Sequence, residues 1–214
     1  MDQASYRTVA ARAEGEYEEK KSRFLGVVAP VQTETEAVAF LDAVRAAHPM
    51  ARHTAYAYVL RAGNRVRYSD DGEPQKTAGL PILSVMQHAG LTDAICTVTR
   101  YFGGTLLGTG GLVRAYTTAA QRILAAAQVV TFAACRDVQV VVEYPDFEPL
   151  QHWLAAQGHA VVSTDYADVV TLLVRTRAQE TDAVVAAIED FCQGRALVQA
   201  GDAAFQPLPV ADGE

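Results

Sequence analysis

The sequence predicts an α+β protein built from two segments that differ in the rhythm of their strands and helices. Residues 6–127 alternate strand-like runs and helices without a simple repeat. After about residue 135 the pattern becomes regular and follows the βαββαβ plan. The length of 214 residues fits either one large domain or two small ones. We place the domains at 1–133 and 134–200 and expect a flexible tail at 201–214.

In the first segment, apolar runs predict strands and capping signals predict helices. The predicted strands are 6–12, 24–31, 54–60, 65–68 and 94–100. Thr33 and Glu36 have the spacing of a capping box and predict a helix that Pro49 ends. A second helix is predicted near residues 81–90, and a long third helix follows the glycine-rich connection at 103–111.

In the second segment, short apolar strands alternate with amphipathic helices. The predicted strands are 138–142, 160–166, 169–176 and 196–199. Asp146 is placed to cap the first helix, which Gly158 ends. The second helix is predicted around residues 181–193, which completes the βαββαβ order, the ferredoxin-like plan.

The formal net charge of −7 is distributed unevenly. Residues 1–130 sum to +2 and residues 131–214 to −9. This acidic C-terminal part argues against binding of the whole protein to phosphate backbones, so a nucleic-acid contact would have to come from the first domain.

Several features indicate a cytoplasmic protein that makes no membrane contact. No run approaches the roughly 18 to 20 apolar residues that a spanning helix needs. The N-terminus lacks the basic and apolar regions of a secretory signal. Cys96, Cys135 and Cys192 have neither zinc-site spacing nor the pattern of a disulfide framework, so we expect buried thiols in a reducing compartment.

The loop at 69–79 crowds three carboxylates, Asp70, Asp71 and Glu73, around Gly72. Such crowding raises carboxyl pKa values unless cations or backbone N–H groups compensate. The loop therefore fits a metal site, a contact for a basic residue or an acid/base pair. The alternative is an acidic solvated turn, because Asp-Gly is itself a turn signal.

A second unusual block joins Arg100, Tyr101 and Phe102 to a glycine-rich connection. Glycine occupies five of the nine residues from 103 to 111. Backbone N–H groups of such a loop can approach an anion, and Arg100 and Arg114 add cationic donors. Alternatively, the glycines satisfy tight turns and the aromatic side chains fill the core. No Gly-Lys-Ser/Thr follows, so this is not a P-loop.

Two further groups of residues have ordinary interpretations. Lys20, Lys21 and Arg23 form the densest basic patch, which fits a solvated strand face of mixed charge. His48 and His53 fit the end of a helix and the start of a strand, with a metal pair as the alternative. No nucleophile motif is present, and we assign no catalytic or metal-ligating residue.

Five sequence blocks occur in an order that resembles the Impact/YigZ family. They are Lys20-Lys21-Ser22-Arg23-Phe24, Ser69-Asp70-Asp71-Gly72-Glu73-Pro74, Thr77-Ala78-Gly79, Val98-Thr99-Arg100-Tyr101-Phe102-Gly103-Gly104 and Gly110-Gly111-Leu112-Val113-Arg114-Ala115-Tyr116. The family usually has Pro-Ser-Gly before Thr-Ala-Gly, whereas Gln75 and Lys76 follow Pro74 here. This departure weakens any chemical role for that serine.

The resemblance implies a first domain like domain two of the fifth small-subunit ribosomal protein. It implies a second domain like the last domain of elongation factor G. It also implies a connection with translation, because eukaryotic relatives act as translational regulators. Fold alone does not settle function, since these folds occur in proteins of many activities.

We therefore expect a non-enzymatic, translation-linked regulator or binding module. RNA, a ribosome-associated factor or a protein partner would bind through the loops at 69–79 and 99–116, without a cofactor. The expected contact residues are Asp70, Asp71, Gly72, Glu73, Thr77, Arg100, Tyr101, Phe102, Gly103, Gly104, Gly108, Gly110, Gly111, Arg114 and Tyr116. Accessory contacts are expected from Lys20, Lys21, Arg23 and His53. The alternative is an enzyme acting on a phosphorylated or nucleotide-like small molecule with magnesium.

Overall fold

The computed structural model describes residues 5–208, which form two compact units, Tyr6–Val130 and 131–208. Both units combine helices and strands, so the predicted two-domain fold of mixed α and β structure is confirmed. Along the chain, the first unit ends at Val130 and the second continues from Thr131, three residues before the boundary placed at 133/134. Within this described range, no helix is long and apolar enough to cross a membrane.

The N-terminal unit contains the following elements. They are β1 Tyr6–Val9, β2 Ala13–Glu19, β3 Ser22–Pro30, α1 Glu34–Ala47, β4 His53–Leu60, β5 Arg65–Ser69, α2 Gly79–His88, β6 Ala94–Tyr101 and α3 Gly108–Ala126. Thr33 caps α1 through its Oγ1, which accepts a hydrogen bond from the Glu36 backbone N–H at 3.2 Å, as the capping-box spacing predicts.

The five strands β2 to β6 form one antiparallel sheet in the order β2-β3-β6-β4-β5. Helices α2 and α3 pack on one face of this sheet, where Phe24 and Tyr116 lie in the main core. Helix α1 packs on the other face, where Leu41 meets Tyr58 and Ile95. The ends of β4 and β6 are neighbours, because His53 is in register with Arg100.

Strand β2 has no counterpart among the predicted elements. Glu14, Glu16 and Glu18 occupy alternate positions and are exposed, whereas Gly15, Tyr17 and Glu19 lie on the less exposed face. Four glutamates in seven residues hide the alternation, because only small or single apolar residues mark the inner face. The strand is held by its hairpin pairing with β3 and by α3, where Ile123 lies against Gly15, a distant contact that the charge pattern does not reveal.

The C-terminal unit has the predicted βαββαβ order followed by one more strand. Its elements are β7 Val129–Val142, α4 Tyr144–Ala156, β8 Ala160–Tyr166, β9 Val170–Arg177, α5 Thr181–Cys192, β10 Leu197–Ala200 and β11 Ala204–Pro207. Strand β7 pairs with β9 along one edge and with β10 and β11 along the other, and β8 pairs with β9. Apolar side chains of β7 and β9 pack with those of α4 and α5 in a single core.

Two sequence predictions in this unit need correction. Helix α4 begins at Tyr144 rather than after Asp146, because Pro145 fits the first turn of a helix and starts it earlier. The tail was expected to be flexible, yet Ala204–Pro207 is a strand paired with the β7 segment from Phe132 to Cys135. The expectation of a flexible tail was therefore wrong for Ala204–Pro207, and residues 209–214 of the predicted tail lie outside the described residues.

Candidate functional site

Asp70 holds the acidic loop against the start of α2. Its Oδ1 accepts hydrogen bonds from the backbone N–H groups of Ala78 at 3.0 Å and Gly79 at 2.9 Å. Its Oδ2 accepts from the N–H of Lys76 at 2.8 Å. A carboxylate is favourable at the positive end of a helix, so Asp70 acts as a remote cap of α2.

Asp71 ties the same loop to α1 and β4. Its Oδ1 lies 2.6 Å from Arg45 Nη2, and its Oδ2 accepts from the Thr54 backbone N–H at 2.7 Å. Its carbonyl oxygen accepts a hydrogen bond of 2.7 Å from His53 Nδ1. Because a carbonyl only accepts, His53 carries its proton on Nδ1, which leaves Nε2 as the nitrogen open to other contacts.

Glu73 lies inside the domain and forms a buried ion pair with Arg100. Arg100 Nη1 donates to Glu73 Oε1 at 2.9 Å, and the two side chains are 8% and 4% exposed. The hydroxyl of Tyr116 also donates to Glu73 Oε1, at 2.9 Å. Burial, and after it the Glu73 carboxylate, raises the pKa of Tyr116, so this hydroxyl stays protonated as a donor.

The other side of the Arg100 guanidinium meets the turn between β2 and β3. Arg100 Nη2 donates to Ser22 Oγ at 3.4 Å, and the same oxygen accepts from the Gly103 backbone N–H at 3.2 Å. Ser22 is fully buried. Arg100 Nε is buried and has no hydrogen-bond partner among residues 5–208.

Lys20 and Lys21 form the two-residue turn of the β2–β3 hairpin, between the paired residues Glu19 and Ser22. Their φ angles are +47° and +66°, so both lysines adopt the left-handed conformation that glycine or asparagine usually supplies in such a turn. The predicted strand face was therefore wrong for these two residues. Arg23 does lie on an exposed strand face, where its Nε bonds Glu16 at 2.7 Å.

Gly103 is required by this turn. A Cβ on Gly103 would lie 2.0 Å from the carbonyl carbon of Lys21, so any side chain would push the turn away. Gly108, Gly110 and Gly111 belong to the first turn of α3 rather than to a loop, so the predicted glycine-rich connection at 103–111 is shorter than expected. Gly104 has a φ of +85° and open space around it.

Gln75 and Lys76 stand where the family usually has Ser-Gly, and the backbone at Lys76 adopts a conformation that suits glycine. Lys76 has a φ of +63°, which is the conformation that glycine would favour at this position. Its backbone N–H is fixed by Asp70, and Thr77 Oγ1 closes the loop by donating to the Pro74 carbonyl at 2.6 Å. The lysine side chain itself points into solvent.

An open cleft of about 620 Å³ lies where β4 begins and β6 ends. Its lining residues all belong to the N-terminal unit and are Met50, Arg52, His53, Arg100, Tyr101, Phe102 and Leu106. Three of them are large exposed apolar side chains: Met50 is 84% exposed, Leu106 83% and Phe102 56%. Arg52 is exposed and has no side-chain partner in the described part of the chain.

Tyr101 and Phe102 frame this cleft in different ways. The Tyr101 hydroxyl lies 3.1 Å from His48 Nδ1, which anchors the half-buried ring to the end of α1. The Phe102 ring lies 5.5 Å from the centre of the Arg100 guanidinium and remains largely in solvent. Phe102 is therefore the exposed aromatic surface nearest to the buried arginine.

The structure brings together only some of the residues that the sequence singled out. His53, Arg100, Tyr101 and Phe102 line the cleft, whereas Arg114 is exposed on α3 and is not among the lining residues. The loops at 69–79 and 99–116 do not present all of their expected contact residues to a partner, because Glu73, Arg100 and Tyr116 bond to one another in the core.

The acidic loop also does not fit magnesium or a free general base. Asp70 is bonded to three backbone N–H groups, Asp71 to Arg45 and Thr54, and Glu73 to Arg100. Within residues 5–208, no group of three or more His, Cys, Asp or Glu side chains could hold a metal ion. The carboxylates instead stabilise the loop.

Sequence reasoning missed four lining or supporting residues, namely Met50, Arg52, Leu106 and Ser22. Met50 and Leu106 belong to no regular apolar pattern, so periodicity does not show whether they are exposed or buried. The available signal was their position, since Met50 directly follows Pro49 and Leu106 lies between Gly104 and Gly108. Ser22 is the most buried residue of a highly charged run, and only the packing of Gly103 reveals its role.

Two protein-family models match this chain, one in each of its two units. The model of the Impact N-terminal domain matches residues 20–124, and the model of a domain of unknown function, DUF1949, matches residues 140–195. The IMPACT family member YvyE of Bacillus subtilis is 31% identical over 94% of this chain and 93% of its own length. The IMPACT family member YigZ of Escherichia coli is 34% identical over 82% of this chain and 87% of its own length.

Two solved structures also have detectable similarity to this chain. The crystal structure of a hypothetical protein is 33% identical, covers 94% of this chain and 98% of its own, and superposes with a TM-score of 0.59. The two-domain translational regulator Yih1 is 22% identical over 59% of this chain and 49% of its own, with a TM-score of 0.33. On the sequence identity and coverage of YigZ and YvyE, this chain belongs to the IMPACT family.

Proposed function

We propose that this protein is a non-enzymatic binding module linked to translation, and that its N-terminal domain holds a protein partner in the cleft. The observation that carries the proposal is the exposure of Met50, Phe102 and Leu106 around one concavity. Large apolar side chains grouped on a surface mark contact sites, and methionine, aromatic residues and arginine are enriched in interfaces. Arg52 supplies the arginine.

The link to translation rests on the family. Its resemblance implies that eukaryotic members regulate translation and that both domains have relatives among ribosomal proteins and elongation factors. A ribosome-associated protein is therefore the partner class that we propose, in the cytoplasm, without a cofactor. The bonding of all three loop carboxylates favours this role over the alternative enzyme, which would need a free carboxylate for magnesium or for base catalysis.

RNA binding is a second candidate, supported by a different observation. Lys20 and Lys21 are exposed on a rigid turn and have no side-chain partner in the described structure. Phe102, exposed beside Gly103, which packs against that turn, is available for stacking on a base. Phosphate contacts by lysine make affinity strongly dependent on salt, whereas an apolar protein contact depends on it weakly.

The test measures association of the purified protein with salt-washed ribosomes and with the proteins released by that wash. The double variant Met50→Ser/Leu106→Ser should weaken binding about tenfold or more, because interface anchors often contribute at least 1.4 kcal/mol. Leu197→Ser is the matched control, since Leu197 is 69% exposed in the C-terminal unit. Equal binding by all three proteins would contradict the cleft as the contact surface.

A salt series with single-stranded RNA separates the second candidate. Lys20→Ala/Lys21→Ala should reduce both the affinity for RNA and the slope of its salt dependence if these lysines contact phosphates. Unchanged affinity and slope would remove RNA from consideration at this turn.

A further inference from the structure

Arg100 reaches the cleft with one donor unused. Its Nη1 and Nη2 groups bond Glu73 and Ser22, but its buried Nε has no acceptor among the described residues. A buried donor left unpaired costs about 1–3 kcal/mol, and such groups are rare in native proteins. An acceptor from a ligand in the cleft would satisfy this N–H.

Phe102 lies between Arg100 and solvent at the cleft. Its ring is 5.5 Å from the guanidinium centre and is 56% exposed, whereas Phe24, at 5.7 Å on the same arginine, is fully buried. Rotation of Phe102 into the cleft therefore exposes the guanidinium without disturbing the core. Rotamer changes of this kind are common when an interface forms.

Two other polar side chains line the cleft, those of Arg52 and His53. Arg52 is exposed and unpaired in the described structure, and His53 uses its Nδ1 in a hydrogen bond to the Asp71 carbonyl. Glu73 already neutralises Arg100, so Arg52 supplies the net positive charge of the lining. One unbalanced positive charge complements a singly charged carboxylate better than a doubly charged phosphate.

We propose that the cleft binds a carboxylate carried next to an apolar side chain, as in an extended acidic-apolar peptide segment. The carboxylate accepts hydrogen bonds from Arg100 Nε and from the Arg52 guanidinium, and the apolar neighbour packs on Met50, Phe102 and Leu106. This inference rests on the proposed function and names the chemistry of the partner. It assigns Arg52 and Arg100 to recognition of charge and the apolar rim to affinity.

The test is an NMR titration of the full-length ¹⁵N-labelled protein with short defined peptides. Acetyl-Gly-Leu-Glu-Leu-Gly-amide is compared with the same peptide carrying Gln in place of Glu. Since a hydrogen bond to a charged group contributes about 1.5–3 kcal/mol, the Glu peptide should bind about 10- to 100-fold more tightly. It should also shift the Arg100 Nε–H resonance, which the Gln peptide should leave in place.

One further measurement identifies the source of the carboxylate, and a second identifies the arginine that recognises it. A Gln peptide with a free C-terminus reports whether a chain-terminal carboxylate replaces the side chain. Arg52→Ala should reduce the Glu/Gln preference severalfold, while Arg114→Ala, an exposed arginine outside the cleft, should leave it unchanged. Both substitutions are on the surface, so both variants should fold.

Several results would overturn this inference. Equal binding of the Glu and Gln peptides at the Tyr101 and Phe102 amides would remove the carboxylate but leave the cleft as a docking surface. Tighter binding of a phosphoserine peptide, or of a uridine hexanucleotide, would assign the cleft to phosphate. Absence of any shift at these amides with peptide at about 5 mM would exclude even weak recognition. Failure of the ribosome assay instead contradicts the proposed function.

Discussion

Replacing Glu73 by glutamine should destabilise the N-terminal unit far more than any surface substitution. Gln keeps the size of the side chain but leaves Arg100 charged, buried and without a carboxylate. The two side chains are 4% and 8% exposed, and Tyr116 bonds the same carboxylate. Removal of one partner from a buried ion pair costs about 3–5 kcal/mol. We expect a loss of this size in the free energy of unfolding.

Urea unfolding followed by far-UV circular dichroism measures this loss. With a slope of about 1–3 kcal/mol/M for a domain of this size, the midpoint of the N-terminal unit should fall by roughly 2 M. Trp153, the only tryptophan, lies in the C-terminal unit, so its fluorescence reports that unit separately. A transition seen by circular dichroism but not by tryptophan fluorescence assigns the change to the N-terminal unit.

Two further variants make this prediction refutable. Glu16→Gln removes an exposed partner of Arg23 and should leave the midpoint unchanged, because exposed ion pairs contribute little. Glu73→Gln/Arg100→Met removes the uncompensated charge as well and should recover much of the lost stability. A cost below about 1 kcal/mol for Glu73→Gln alone would refute the buried pair as a source of stability.

Three other predictions follow from buried or bonded ionisable groups. Burial and the hydrogen bond to Glu34 raise the pKa of Tyr58 from 10.0 to about 12. The protonated Tyr58 hydroxyl therefore adds to the free energy of unfolding below pH 10, and this contribution is lost as pH rises through 12. In a spectrophotometric titration, Glu34→Gln should lower the pKa of Tyr58. The hydrogen bonds from Arg175 lower the pKa of Asp137 below 3.8. The Asp137 carboxylate therefore adds to the free energy of unfolding above pH 3.8, and this contribution is lost as pH falls through the lower pKa of the folded state. In urea unfolding, Asp137→Asn should cost about 1.5–3 kcal/mol at pH 7, and the difference in stability between variant and wild type should vanish in strong acid. A thiol reagent at pH 8 should modify none of the cysteines in the folded protein and all three in urea, because Cys96, Cys135 and Cys192 are buried.

The sequence predicted those elements whose signals are local. The capping-box spacing of Thr33 and Glu36 located the start of α1, because a cap is formed by residues within one turn. The βαββαβ order of the C-terminal unit followed from its regular apolar periodicity. Strand β2 was missed for the opposite reason, since its residues are mostly charged and the helix that covers its inner face, α3, is distant in sequence.

The candidate site shows the same division between local and non-local information. The blocks around Asp70 and Arg100 were correctly recognised as unusual, but their composition did not show which charges would face each other. Glu73 and Arg100 are 27 residues apart, on the loop before α2 and on β6, and meet only in the folded domain. A charged residue in a loop is usually exposed, so burial of this pair could not be read from the sequence.

The dual position of Arg100 decides which variants can test binding. Its Nη atoms hold the core together through Glu73 and Ser22, whereas its Nε is directed to no acceptor and its side chain lines the cleft. A substitution of Arg100 would therefore lower stability and recognition at once, and loss of binding would have two explanations. Arg52 is free of the core network, so its substitution changes the charge of the cleft alone. If Arg52→Ala abolishes the preference for an acidic peptide while the unfolding midpoint stays fixed, recognition is separated from folding in the same domain.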